Sequence, residues 1–123
     1  MLTEGLTHTS KVIISPALTA LAMGSGDLEV FATPAMIALM ENAAMKAVKD
    51  ELDEGYTTVG AHIDVSHIRP SKKDKETSAK ATLTKIDGKK LHFTVEAYEG
   101  DSLIGKGTHL RVIIHKEKFL SNL

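Results

Sequence analysis

One stretch of this chain has a clear helical period: FATPAMIALMENAAMKAVKDELDEG, Phe31 to Gly55. Met36, Ile37, Met40, Ala43, Ala44, Ala47 and Val48 recur at spacings of three and four and lay one apolar stripe, while Lys46, Lys49, Asp50 and Asp53 gather on the other side and towards the end. Thr33 followed by Pro34 reads as N-cap and first helical residue, and Gly55 reads as the stop. Elsewhere the period is two. His8 to Ile14 predicts a first strand, ended by Ser15-Pro16, with a short helical turn over Ala17 to Met23 before flexible punctuation at Gly24 to Asp27. Tyr56 to Ile68 alternates, with Ala61, Ile63, Val65 and His67 on one face and His62, Asp64 and Ser66 on the other.

Two further alternating runs follow, Thr77 to Thr84 and Leu91 to Tyr98, around the hairpin signal Asp87-Gly88. A turn at Glu99-Gly100-Asp101 then leads to a last strand, Leu103 to His115. One strand, one long helix and a four-strand meander predict an α+β class, in which an antiparallel sheet of about five strands covers the helix with its apolar face. No internal repeat or linker composition divides residues 1–123, so a single domain is expected.

Composition narrows the function. With 42% hydrophobic residues in 123, the chain can bury a core. A formal charge of −1, no Lys/Arg stripe and no Trp argue against nucleic acid as the partner. The absence of cysteine removes disulfides, thiolate metal sites and a thiol nucleophile. No apolar run is long enough to cross a bilayer and the first residues lack a signal-peptide core, so a cytoplasmic protein is expected. His8, His92 and His115 are scattered over different strands, which predicts no metal site.

Chemistry enters with two charged groups in apolar surroundings. Glu41 follows Met40 and lies one turn from both Ile37 and Met45, at the border of the stripe. A lone glutamate there is ordinarily a solvated residue, and a lone inward histidine is ordinarily satisfied within the core. His67, however, shares the inward face of its strand, so an imidazole and a carboxylate point into one layer. Such a pair holds its charged state or shares a proton, as a general base or nucleophile requires. Thr33 adds a hydroxyl at a helix N-terminus, where free amides and the dipole can hold an oxyanion. His62 and Asp64, the alternative pair that a hydratase would use, share the outward face, where solvated side chains are the rule.

The order FATPAMIALMENAA, VGAHIDVSH and GKGTHLRVIIHKEKF resembles the fluoroacetyl-CoA thioesterase family of hotdog-fold proteins over nearly the whole chain. The resemblance implies a hotdog fold and a catalytic set of Thr33, Glu41 and His67, matched in type and spacing. It also implies that Gly60 lines the site and that His109 and Arg111 lie near bound substrate. The implied activity is hydrolysis of a small acyl-CoA thioester without a further cofactor, at a homodimer interface. Glu41, held by His67, would attack the carbonyl or activate water. A silent acyl-CoA-binding module is the alternative. Asn42 stands where family members carry an aromatic residue, and the segment before Phe31 differs, so the acyl group is left open. Thr33 and Glu41 are eight residues apart, or roughly 12 Å along one helix. That gap is closed by a loop position for Thr33, by the acyl group, or by a partner subunit.

Overall fold

The computed structural model describes residues 1–123. Strand β1 (Thr7–Ile13) leads through a 3₁₀ turn (Pro16–Leu18) into the short helix α1 (Ala20–Met23) and then the long helix α2 (Thr33–Lys49). Strands β2 (Tyr56–His67), β3 (Glu76–Asp87), β4 (Lys90–Glu99) and β5 (Ser102–His115) follow, and α3 (Lys116–Ser121) closes the chain. The five strands form one antiparallel sheet in the order β1-β3-β4-β5-β2. Helix α2 lies across the concave face, chiefly against β1 and β3. This is the α+β, helix-in-sheet architecture the periodicity predicts.

Small residues set how closely the two layers approach. Ala35, Ala43, Ala44 and Ala47 on α2 meet a sheet face that includes Ala79, Ala81 and Ala97, all buried. Met36, Met40 and Val48 then reach between Leu83, Leu91, Phe93 and Val95, which are also buried. Each fully buried side chain of this size contributes about 1.5–3 kcal/mol by leaving water. At the end of the core near His67, a side chain on Gly105 would fall 2.5 Å from the Met36 sulfur, so glycine there leaves room for the Met36 thioether. Gly105 lies opposite His67 in the β2–β5 ladder.

Three local expectations change. The helix begins at Thr33, with Ala32 as a cap that offers no side-chain bond, so Thr33 is the first helical residue and its hydroxyl is free for other work. It ends at Lys49, and Gly55, at φ 88°, turns the chain into β2 instead of stopping α2. The intervening Asp50 to Glu54 carry no apolar stripe to hold further turns against the sheet. The terminal helix α3 has no counterpart in the expectations; it is one and a half turns long and buries none of its residues.

The third change is in β2. Its register against β5 shifts between Gly60 and His62, making Ala61 the extra residue of a bulge. Counting by twos from His67 places Ala61 inward, yet it is exposed. The bulge restores alternation on both sides: Ile63, Val65 and His67 face the helix layer after it, and Thr58 and Gly60 face it before. Strand β2 is also an edge strand, bonded to β5 on one side only.

Candidate functional site

The sequence-predicted residues fall into two groups within the chain. The first is Thr33 with His67. Thr33 stands at the open end of α2 and its Oγ1 lies 2.8 Å from His67 Nδ1. The Phe31 ring meets the imidazole edge-on, with centroids 6.4 Å apart. His67 Nε2 is buried and makes no hydrogen bond. Burial pulls His67 below the ordinary imidazole value, against a weaker opposing pull from the Arg69 backbone. The ring is therefore neutral, and its Nδ1 shares a hydrogen bond with the Thr33 hydroxyl. The pair opens on a pocket of about 270 Å³ lined by Phe31, Ile68, Arg69 and Pro70 among others. The uncapped first turn of α2, with the amides of Thr33 and Ala35 lacking intrahelical partners, borders the same pair.

The second group surrounds Glu41. Its carboxylate is 3.5 Å from Arg111 Nη1 and 3.9 Å from His109 Nε2. Gly60 lies directly beneath: a Cβ there would be 2.6 Å from Glu41 Oε2. The Glu41 side chain is 40% exposed whereas that of Arg111 is 7%, so a reactant can reach the carboxylate while its counter-charge stays inside the protein.

Arg111 is fixed on three sides. Its Nε donates to Thr58 Oγ1 at 2.8 Å and Nη2 to the Thr58 carbonyl at 3.0 Å. Nη1 donates to His109 Nε2 at 3.1 Å. His109 Nδ1 in turn donates to the His62 carbonyl at 2.7 Å, which leaves the lone pair at Nε2. Burial holds His109 below its usual value, with the Arg111 charge adding to the effect against the His62 bond and Glu41. His109 is therefore a neutral relay between Arg111 and the bulge, and the cation facing Glu41 is Arg111 alone. Burial also lowers Arg111, opposed by Glu41.

Thus Glu41 is held by Arg111, not by His67, and His67 binds Thr33. The physical reason is helix geometry: positions 33 and 41 are about 12 Å apart along α2, so one strand cannot bring His67 to both. Gly60, His109 and Arg111 do gather at Glu41. Asn42 points elsewhere, accepting from the Ser10 hydroxyl at 2.7 Å, so its departure from an aromatic bears on the packing of β1. His62 and Asp64 are exposed, as their outward face predicts. Thr58 escaped the sequence reading. Its one signal was the glycine two residues on, since glycine inside a strand often marks a bulge or a close approach.

Fold and site can now be set beside known proteins. The family model described as FlK, fluoroacetyl-CoA-specific thioesterase, matches residues 14–117. The fluoroacetyl-CoA thioesterase of Streptantibioticus cattleyicolor is 38% identical over 91 residues, a match spanning 74% of this chain and 66%, just under two thirds, of that enzyme. Among solved structures, a variant of the fluoroacetyl-CoA thioesterase FlK in complex with acetyl-CoA superposes with a TM-score of 0.93 at 30% identity, covering 98% of this chain and 96% of that one. A thioesterase superfamily member from Thermus thermophilus gives 0.89 at 28% identity, covering 98% and 89%. With the family model spanning most of the sequence and the fold matching throughout, this chain belongs to the fluoroacetyl-CoA-specific thioesterase family of hotdog proteins.

Proposed function

We propose that this protein hydrolyses a small acyl-CoA thioester, with Glu41 of one protomer and the Thr33–His67 pair of its partner forming each active site. The observation that carries this reading is the Glu41 carboxylate: open to a reactant, backed by a buried arginine and set against a strand position that has no side chain. A relative of the same family binds acetyl-CoA, which supports a two-carbon acyl thioester as the substrate class.

The two half-sites support a dimer. Within one protomer Thr33–His67 and Glu41–Arg111 stand too far apart for one acyl group to engage both. The free edge of β2 offers unpaired backbone groups for an isologous partner. Antiparallel pairing of β2 with its own copy, in a register that keeps inward residues opposite inward residues, would bring the His67 end of one strand beside the Gly60 stretch of the partner subunit. That register joins complementary halves twice and shields the apolar flank of both helices.

In the composite site Glu41 attacks the thioester carbonyl or takes a proton from the attacking water. The tetrahedral oxyanion is held by the first-turn amides at Thr33 and a backbone amide such as that of Gly60. Collapse breaks the C–S bond. The CoA leaves as the thiolate and takes up the proton that Glu41 removed from water; in the nucleophilic variant water then opens the acyl-enzyme anhydride, regenerating the Glu41 carboxylate and releasing the proton that the thiolate takes up.

The test is thiol release from a panel of short acyl-CoAs: turnover on acetyl- or fluoroacetyl-CoA is expected, whereas tight binding without thiol release would make this a binding module. The pH profile gives a second check. Because burial lowers His67, it stays neutral below the ordinary value of 6.5 and the acid limb that reports it falls below that pH. His67→Ala is expected to slow turnover and remove that limb; an unchanged profile would leave His67 in the core alone. The same shift acts on stability. As pH drops below 6.5 the unfolded chain takes up protons that folded His67 and His109 refuse, so a thermal melt is expected at lower temperature at pH 5 than at pH 7.5.

A further inference from the structure

We propose that Thr58 is a positioning residue for the reaction, acting on Glu41 through Arg111; this rests on the hydrolytic reading above. Arg111 has a long side chain with much rotamer freedom, and a guanidinium left free to swing would present its charge to Glu41 over a range of places. Thr58 removes that freedom with two bonds from one residue, side-chain oxygen to Nε at 2.8 Å and carbonyl oxygen to Nη2 at 3.0 Å. These two bonds define the plane of the guanidinium. The remaining corner, Nη1, is steered by His109 at 3.1 Å. Only then does it lie 3.5 Å from the carboxylate.

The position of Thr58 is itself fixed. It is buried, two residues before Gly60, on the short stretch of β2 that the bulge at Ala61 keeps facing the helix. The same bulge presents the His62 carbonyl that orients His109. One irregularity in the edge strand therefore supplies the Thr58 anchor, the His109 anchor and the vacant side-chain position at Gly60. Its effect is to hold Arg111 in a single pose beneath the carboxylate. Thr58 bonds to Arg111 and makes no hydrogen bond to Glu41, so its contribution is geometric and belongs to the rate of the chemical step more than to substrate affinity.

The experiment compares Thr58→Val, which keeps the shape and removes the hydroxyl, with Thr58→Ser, which keeps the hydroxyl. Hydrolysis of acetyl-CoA is followed by thiol release, and the side-chain Nε–H signal of Arg111 by ¹⁵N NMR. Thr58→Val is expected to lower kcat about tenfold with KM within about twofold, and to lose the slowly exchanging Nε–H signal. Thr58→Ser restores both. Arg111→Lys, which keeps the charge but cannot form the fork to Thr58, is expected to reproduce the kcat loss and serves as the second variant if the valine protein does not fold. A wild-type kcat in Thr58→Val, or equal losses in the valine and serine variants, overturns the positioning role. Absence of wild-type turnover on every acyl-CoA instead strikes the hydrolytic reading, and retention of the Nε–H signal in Thr58→Val refutes the anchoring whatever the activity.

Discussion

Glu41→Gln is expected to abolish acyl-CoA hydrolysis while leaving a folded protein. Glutamine keeps the size of the side chain and can still accept from Arg111, but it neither attacks a carbonyl nor takes a proton from water. A loss of 10²–10⁴ is the order typical of a general base, and loss to background is expected if the carboxylate is the nucleophile. The fold survives because Arg111 keeps its bonds to Thr58 and His109, and because Glu41 is partly exposed, so its ion pair is screened and adds little to stability. Circular dichroism and a thermal melt close to those of the wild type, together with a dead enzyme, are the expected results. Near-normal turnover by the folded variant would remove Glu41 from the mechanism.

Gly60→Ala comes next in expected effect, and for a different reason. The added methyl would sit 2.6 Å from Glu41 Oε2 and 3.5 Å from both Arg111 Nη1 and a His109 ring carbon. Since the nearest atom is the end of a flexible side chain, the carboxylate moves and the backbone stays. Stability should therefore change little, by less than about 1 kcal/mol, with any strain offset by the lower chain entropy of alanine in the unfolded state. Activity should fall about 10²-fold, because a displacement of about 1 Å at a reacting group has that effect. A folded variant with wild-type kcat would show that the vacancy at position 60 has no part in the site. Gly107→Ala is the contrasting case: there the methyl would run into the Asp64 carbonyl and the Val65 backbone, so the β2–β5 ladder itself must yield and stability is expected to fall.

The sequence carried the architecture because the two periods are kept with few exceptions. Alternation is regular through Ala79, Ala81 and Leu83 in β3, up to the register shift after Leu83, and through Leu91, Phe93, Val95 and Ala97 in β4, and each of these is buried. Residue types at Thr33, Glu41, His67, Gly60, His109 and Arg111 were legible as well, from their matching positions in a known family. What could not be read was which of them meet. Period-two counting assumes a regular strand, and one inserted residue at Ala61 reverses the face of everything before it. That reversal turns Thr58 and Gly60 towards Glu41. The same limit applies to Thr33: a Thr-Pro pair signals a helix start, but the position of the cap one residue earlier decides whether the hydroxyl serves the helix or His67.

The separation of Thr33–His67 from Glu41–Arg111 within the chain makes the proposed partner subunit central to the mechanism. Co-expressing Thr33→Ala and Glu41→Gln chains and purifying the mixed dimer tests this most directly. If each site draws Thr33–His67 from one chain and Glu41 from the other, the mixed dimer holds one site with both substitutions and one with neither. Activity close to half that of the wild type, from two parents that are each inactive, is the predicted result; a mixed dimer as dead as its parents would contradict it and place Thr33 and Glu41 in one chain's own site.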